Sequence, residues 1–313
     1  MGPYLIKRLL LMPLTLLGVF TLTFALLFLI PGDPVASLVG QHADPATVAA
    51  IRDQLGLDKP MVVQYGERLW HTVQGDWGRS FVRQTPVLPE ILDRLPATAE
   101  LAGAAILVQV LVGVLVGVIS AARPRSWIDR TLMVVAIGGV SMPSFLVGLL
   151  SIYLFGSQLH WLPVGGYSPY FPDNLAYLIL PAIALGMRGV AIVARLTRSA
   201  LLEVVRQDYI RTARAKGLSE PVVMVRHALR NAMIPIMTYV GMDVGYLLGG
   251  AVVTEIVFTW PGFGMLAVQA LLNRDIPVVL GTVLFAAFFV VVANLLTDLA
   301  YSLVDPRITL AKS

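Results

Sequence analysis

Long uncharged stretches dominate the hydrophobic pattern of this chain. They cover residues 9–32, 101–122, 131–172 and 276–297. A helix of about 20 apolar residues crosses a hydrocarbon core about 30 Å thick, so each stretch is long enough to span a bilayer. The pattern therefore predicts an all-α integral membrane protein. We place its six transmembrane helices at roughly 8–30, 99–122, 131–155, 176–197, 232–254 and 277–301.

The composition of the chain agrees with this pattern. Of its 313 residues, 57% are hydrophobic and 13% are charged. Soluble domains have an apolar share of about 45–50%, so a soluble protein is excluded. The chain has no cysteine, which excludes a disulfide framework, a thiolate nucleophile and a Cys-based metal site. The histidines lack ligand spacing, and we predict no metal site and no catalytic residue.

Lys and Arg residues are distributed unevenly among the loops that connect the predicted helices. With the N-terminus inside, the inner face carries fifteen of them, and eight of these lie within 195–230. The short outer loops, 156–175 and 255–276, contain only Arg274. Because cytoplasmic loops carry the excess of Lys and Arg, both termini are predicted to be cytoplasmic. Nucleic acid is not needed to explain the net charge of +4.

The first predicted span follows Lys7 and Arg8, as the apolar region of a signal peptide would. It continues to Ile30, well beyond the ~7–15 residues of such a region. The sequence PGDP follows it in place of a cleavage site. We therefore expect 1–30 to be an N-terminal tail and an uncleaved first helix.

The remaining chain divides into two further segments. Residues 31–98 are rich in charges and turn signals, and we expect a small extracytoplasmic subdomain of short helices. In ADPATVAAIRDQLGL, Asp44 is predicted to cap a helix that has Pro45 at its first position. Residues 99–313 are predicted to form a five-helix core that contains the cytoplasmic loop 198–231.

The basic segment DYIRTARAKGLSEPVVMVRHALRNAMIP, residues 208–235, lies on the predicted inner face. Residues 208–216 predict a short helix that Gly217 ends, as a left-handed C-terminal glycine does. Ser219 is predicted to cap a second helix, with Glu220 and Pro221 in its first turn. Two helices hinged in this way favour docking on a soluble protein. A positive-inside loop that contacts lipid headgroups is the alternative.

The same segment resembles the cytoplasmic EAA loop of ABC-importer permeases, in the form found in the dipeptide, oligopeptide, glutathione and nickel branch. The general pattern is matched only at Ala213, Gly217 and Leu229, but DYIRTARAKGL and HALRNAMIP are close to the branch form. The likeness covers the whole chain, which is similar to the first of the two permeases in such importers. It also includes the motifs IPGDPV, LGLDKPMVVQY, GDWGRS, ARLTRSALLEV, TEIVFTWPGFG and RDIPVV.

This resemblance implies the permease fold of a type I ABC importer in a bacterial or archaeal cytoplasmic membrane. It implies a second permease, two cytoplasmic ATPases and an extracytoplasmic solute-binding protein as partners. Residues 208–217 would be the coupling helix that sits in a groove of an ATPase. The implied coupling residues are Asp208, Tyr209, Arg211, Thr212, Ala213, Arg214, Ala215, Lys216 and Gly217.

The energy source and the cargo do not follow from this chain alone. It contains no G-x-x-x-x-G-K-[ST] sequence, so it has no P-loop. We therefore expect no enzyme activity and no cofactor here, with ATP and Mg²⁺ bound by the partner ATPases. Short peptides are the favoured cargo, while the resemblance also leaves glutathione and nickel open.

Small residues recur at four-residue spacing on two predicted helices. Gly113 and Gly117 lie on the second helix, and Gly241, Gly245 and Gly249 lie on the fifth. Such ladders let helix backbones approach closely in lipid, where packing replaces the hydrophobic drive. We predict internal helix packing, with contact to a partner permease or to the translocation pathway as the alternative.

Two charged residues interrupt predicted spans, Arg188 in the fourth and Asp243 in the fifth. Each costs about 2.5–3.5 kcal/mol at a helix centre on insertion scales, and a pair of opposite charges reduces this cost. They predict either a structural salt bridge or a contact with substrate in the pathway. They also support a rival function, an ion-coupled secondary transporter with this pair as its ion or proton site.

Overall fold

The computed structural model describes residues 2–29, 35 and 44–304, which are mainly helical. Within this described part of the chain there is no β-strand, only an isolated bridge between Arg79 and Pro86. The helices are α1 (Gly2–Leu29), α2 (Pro45–Gln54), α3 (Met61–Val73), α4 (Val87–Ala122), α5 (Trp127–Ser141), α6 (Ser144–Ser151), α7 (Asp173–Val204), α8 (Asp208–Ala215), α9 (Glu220–Val222), α10 (Leu229–Gly250), α11 (Val252–Val257), α12 (Phe263–Leu272) and α13 (Ile276–Val304). Short π-helical segments, Ile152–Gln158 and Val223–Ala228, extend α6 and α9.

Four stretches of helix are long and apolar enough to cross a membrane. They are Leu10–Leu29, Val87–Ala122, Asp173–Val204 and Ile276–Ala293, and a bent pair of helices raises the number to five. The all-α membrane class predicted from the sequence is therefore confirmed. The remaining predicted span, 232–254, corresponds to α10, which has 22 residues and contains Asp243. By length and composition, the described residues provide four or five spans.

The prediction of one continuous helix over 131–155 is wrong. The chain breaks after α5, and its two parts, Trp127–Gly139 and Ser144–Gln158, are bent by 101°. Met142 is extended, with φ −88° and ψ 127°, and Pro143 precedes the first residue of α6. Proline has no N–H and disfavours helical geometry in the residue before it, so the SMPSF sequence ends the helix.

The chain forms two compact units, each with its own apolar core. The first contains Met1–Pro96 and Gly262–Ser313, and the second contains Ala97–Pro261. In the first unit α1 packs against α13, so the last described helix joins the first. The core of this unit includes Val87, Ile91, Phe263, Leu266, Val278 and Phe285.

A buried carboxylate holds the outer segment of the first unit to the start of α13. Asp275 is 1% exposed, and its carboxylate accepts hydrogen bonds from the Ser80 hydroxyl and from the Phe81 N–H at 2.9 Å. This contact joins the GDWGRS and RDIPVV motifs. The predicted helix that begins at Pro45 is confirmed, although the Asp44 side chain makes no capping hydrogen bond.

The second unit is centred on a buried tryptophan. Trp260 is fully buried, and its Nε1 donates to the carbonyl oxygen of Ala97 at 2.8 Å. Nearby, the Thr98 hydroxyl donates to Oε1 of the buried Glu255 at 2.7 Å. The TEIVFTW motif therefore supplies the polar contacts that fix the start of the unit against its end.

Candidate functional site

Helix α8 lies on the second unit with one face buried and the other exposed. Ile210 is fully buried and Ala213 nearly so, three positions apart on one side of the helix. They pack into a cluster with Ala121, Leu201, Val223, Ala228 and Ala232. A movement of α8 would therefore be felt directly by α4, α7 and α10.

Gly217 ends α8 in the predicted left-handed conformation. Its φ is +81°, and no atom would lie within 4 Å of an added Cβ. The Gly217 N–H donates to the Arg214 carbonyl at 2.9 Å, and the Leu218 N–H donates to the Ala213 carbonyl at 3.4 Å. These two bonds form a Schellman motif, in which glycine avoids the steric cost of a Cβ.

An ion pair crosses the turn at Gly217. The Arg214 guanidinium donates from Nε and Nη2 to the two carboxylate oxygens of Glu220, at 2.6 and 3.2 Å. Their hydrogen bond is the main cause that raises the pKa of Arg214 and lowers the pKa of Glu220. The pair links the end of α8 to the start of α9, and both side chains remain solvent-accessible.

The outer face of α8 is polar and cationic, with one aromatic side chain. Tyr209 is 42% exposed, and its hydroxyl accepts from Nδ2 of Asn231 at 2.6 Å. Arg211 lies 3.4 Å from the Asp208 carboxylate, and both side chains are largely in solvent. Thr212, Ala215 and Lys216 are exposed as well. This face suits a soluble partner with an acidic, partly apolar cleft.

The chain continues from α9 into α10 without a break in helical structure. Ser219 occupies the N-cap position and Pro221 lies in the first turn, but the Ser219 side chain makes no capping hydrogen bond. The π-helical segment Val223–Ala228 then leads into Leu229 and α10. A π-helical stretch within a helix frequently marks a functional site.

Arg188 and Asp243 form an ion pair between α7 and α10. Nη2 of Arg188 donates to Oδ1 of Asp243 at 2.6 Å. The Asp243 side chain is 4% exposed, whereas that of Arg188 is 38% exposed. The second carboxylate oxygen of Asp243 is buried without a hydrogen-bond partner. The pair therefore joins a buried carboxylate to a guanidinium that is partly exposed at the protein surface.

The two glycine ladders have different surroundings. At Gly113 an added Cβ would lie 2.7 Å from Cβ of Val193, and at Gly117 it would lie 2.5 Å from Cβ of Thr197. Both glycines therefore let α4 approach α7. On α10, a Cβ at Gly241 would meet nothing within 4 Å, and Gly245 is half-buried. The burial of Gly249 lies outside the described residues.

One cluster was not singled out from the sequence. Arg198 donates from Nε and Nη2 to the two oxygens of the buried Asp129, both at 2.7 Å. The same carboxylate accepts from the Ser120 hydroxyl at 2.6 Å and from the Arg125 N–H at 2.9 Å. The Asp129 N–H donates to the Ser126 side chain at 3.2 Å, so S-W-I-D is a capping signal that the sequence does carry. This cluster ties α4, α5 and α7 together.

Comparison with protein families gives two matches that together cover nearly the whole chain. Residues 113–310 match the family described as binding-protein-dependent transport system inner membrane component. Residues 1–102 match the N-terminal region described for membrane components of these systems.

Curated relatives match over nearly their full length. A di/tripeptide transport system permease protein, DppB of Pseudomonas aeruginosa, is 44% identical over 97% of this chain and 98% of its own. A dipeptide transport system permease protein, DppB of Alkalihalophilus pseudofirmus, is 41% identical, with 97% and 98% covered. A glutathione transport system permease protein, GsiC of Salmonella choleraesuis, is 41% identical over the same shares.

Among solved structures, the crystal structure of an amino acid ABC transporter with histidines is similar in fold. The TM-score is 0.51 at 16% identity, over 68% of this chain and 93% of the other. At this identity the likeness concerns the fold alone.

Proposed function

Since the chain belongs to the family of inner membrane components of binding-protein-dependent transport systems, we propose that it is a permease for short peptides and forms half of the translocation pathway. It is a multi-pass membrane protein and a transport subunit, and family membership disfavours the ion-coupled secondary transporter. The observation that carries the cargo proposal is the full-length similarity to permeases named for di- and tripeptides. One relative is named for glutathione, which is itself a small peptide and therefore falls within the proposed cargo class.

The proposed topology has six spans with both termini in the cytoplasm of a bacterial or archaeal cell. It takes α10 as a span in addition to the four or five that length and composition select. The ion pair supports this assignment, because Arg188 compensates the charge of Asp243 and lowers the cost of placing it in lipid. The excess of Lys and Arg in the loops of the inner face supports the orientation.

The proposed coupling element is 208–217, which would dock on a separate ATPase subunit. Three features support it: the exposed cationic face of α8, the buried contacts of Ile210 and Ala213, and the continuous helix that leads into α10. A push on α8 would move the inner ends of three long helices together. ATP and Mg²⁺ would be bound by the partner, since this chain has no P-loop sequence.

The remaining proposed partners are a second, similar permease and an extracytoplasmic solute-binding protein. The binding protein would contact 31–98 and the outer loops and would release its cargo when the ATPases close. The pathway would then form where the two permeases meet. Cargo choice would rest largely with the binding protein, so this chain supplies a passage and a coupling element.

An uptake assay tests this function. The complete transporter is expressed in bacteria that lack their own peptide permeases, and labelled dipeptide, glutathione and nickel are offered separately. We expect dipeptide to accumulate only with the binding protein and intact ATPases, and to persist after collapse of the proton gradient at constant ATP. Dipeptide uptake that follows the proton gradient and survives loss of the ATPases would refute the proposal.

A further inference from the structure

A polar cavity and an apolar groove adjoin each other in the first compact unit. The cavity has a volume of about 240 Å³, and its polar lining includes Gln64, Glu67, Arg68, His71 and Asp76. The groove has a volume of about 520 Å³ and is almost entirely apolar. The two spaces share the side chains of Phe20, Thr72, Trp77 and Leu284. The two spaces are therefore adjacent: the cavity carries the charged side chains, and the groove is apolar.

Arg68 is the charged group at the polar end. Its guanidinium lies 5.5 Å from the centre of the Phe81 ring, and burial lowers the pKa of Arg68. Among the described residues, no carboxylate lies within ion-pair distance of it. Arg68 is half-buried, and a charge that is partly removed from water is costly unless it is paired, so this arginine favours an anionic ligand.

The neighbouring acidic residues are engaged elsewhere. Glu67 binds Lys59 at 2.7 Å. Asp76 accepts from the Gly78 N–H at 2.9 Å and lies 3.8 Å from Nδ1 of His71. Both carboxylates line the cavity as well, but neither lies within ion-pair distance of Arg68.

The apolar groove follows two helices that are long enough to cross a bilayer. Leu16 and Leu17 contribute from α1, and Phe285 and Phe288 contribute from α13. Only 11% of the apolar window of α1 is buried, so most of this helix faces away from the protein interior. A groove in this position is open to the acyl chains of the membrane.

Helix α3 lies between the two ends of the site and is amphipathic. Its exposed apolar side chains include Val62, Trp70 and Val73, while Gln64 and Arg68 face inward or towards the cavity. Tryptophan is enriched at the level of the lipid headgroups, and amphipathic helices lie in that plane. The polar cavity would therefore lie at headgroup depth and the groove at acyl depth.

We propose that this site binds one anionic phospholipid of the surrounding bilayer, with its phosphate at Arg68 and an acyl chain in the groove. A ligand must fit both the cavity with its arginine and the apolar groove. A free anion would fill only the cavity, and a zwitterionic or neutral lipid would leave the arginine without net compensation. The inference does not depend on the cargo of the transporter.

The test uses the full chain in detergent micelles, with bound lipid counted by native mass spectrometry. The probes are phosphatidylglycerol, phosphatidylcholine and inorganic phosphate, each added alone. We expect the wild type to retain phosphatidylglycerol about fivefold more than phosphatidylcholine, the effect of one Arg at an anionic headgroup. Inorganic phosphate alone should leave the thermal unfolding of the chain unchanged.

Three variants and one matched control separate charge, groove and folding. Arg68→Gln should lose the preference for phosphatidylglycerol, and Arg68→Lys should keep most of it. Leu17→Trp, which fills the groove, should lower the retention of both lipids. The control is Arg79→Gln, since Arg79 belongs to the same unit but is exposed and donates only a long bond of 3.4 Å to the Gln84 carbonyl.

Several results would overturn the proposal. Equal retention of the two lipids by the wild type would remove the charge preference on which it depends. Equal losses in Arg68→Gln and Arg79→Gln would show general electrostatics, and stabilisation by inorganic phosphate alone would show a simple anion site. Loss of the preference in Arg68→Lys, with unchanged unfolding in the absence of lipid, would also contradict it.

Discussion

Arg214 holds the carboxylate of Glu220 through two contacts, 2.6 and 3.2 Å, across the turn that Gly217 makes possible. Arg214 is therefore already engaged within the chain, where it links α8 to α9. Arg211, which is loosely paired at 3.4 Å, and the exposed Lys216 are therefore the cations best placed to meet a partner. The loop would act as a rigid element whose docking and bracing charges are separate.

Replacement of Gly217 tests the bracing turn. In Gly217→Val the left-handed conformation, at φ +81°, would cost about 1–2 kcal/mol for a residue with a Cβ. We expect the protein to insert normally but transport to become uncoupled from ATP hydrolysis. The measurement compares dipeptide uptake with ATPase activity in reconstituted vesicles.

Gly217→Asn is the matched control, because asparagine tolerates the left-handed region better than other residues with a Cβ. It should retain most of the coupling. Normal uptake by Gly217→Val would argue that the turn has no role in coupling.

Removal of one partner of the intramembrane pair should cost more than removal of both. Arg188→Ala leaves the buried Asp243 carboxylate uncompensated, and the loss of stability should be about 3 kcal/mol. The double variant Arg188→Ala with Asp243→Ala should be more stable than the sum of the single changes predicts. Thermal unfolding of the purified chain, measured for all four forms, gives the coupling energy. Additive effects would mean that the interaction between Arg188 and Asp243 does not stabilise the protein.

The two glycine ladders should respond differently to the same substitution. In Gly117→Ala the new methyl group would lie 2.5 Å from Cβ of Thr197 and 2.7 Å from the Ala194 carbonyl oxygen. Overpacking of this kind costs about 1–3 kcal/mol, so thermal stability should fall. Gly241→Ala is the matched control, because nothing lies within 4 Å of the added methyl group. Equal destabilisation by both changes would contradict the difference in packing.

Gly241→Ala also examines the surface of α10 in the assembled transporter. If the Gly241 face contacts a partner permease, the variant should be stable alone but assemble poorly. Gel filtration of the co-expressed subunits measures this. Normal assembly would place the partner contact elsewhere.

Features that depend on local chemistry could be predicted from the sequence. Gly217 follows a short cationic helix, and a C-terminal glycine needs no distant residue to adopt its conformation. Pro45 begins a helix for a similarly local reason. The break at Pro143 is equally local. The long uncharged run 131–172 nevertheless favours a continuous span, and this outweighs the helix-breaking proline of SMPSF.

Features that depend on distant partners could not be predicted in this way. Asp129 is followed by Arg198 only after 69 positions, and the sequence does not state which of several arginines approaches it. Asp275 and Ser80 are separated by 195 positions. The sequence predicts Arg188 and Asp243 as a pair only because each charge is costly in lipid unless the other compensates it. Such contacts depend on how the helices pack, and local patterns do not specify that.

Co-purification with the ATPase subunits tests the central claim, that 208–217 is a docking element, most directly. The assay compares the wild type, Arg211→Glu, Gly217→Val, and Arg214→Glu alone or combined with Glu220→Arg, which restores the internal ion pair. We expect the wild type to capture the ATPase and Arg211→Glu to lose it, while the exchanged pair recovers much of what Arg214→Glu loses. Capture that is equal in all five forms, or absent from the wild type, would contradict the account and leave the loop as a lipid-facing anchor.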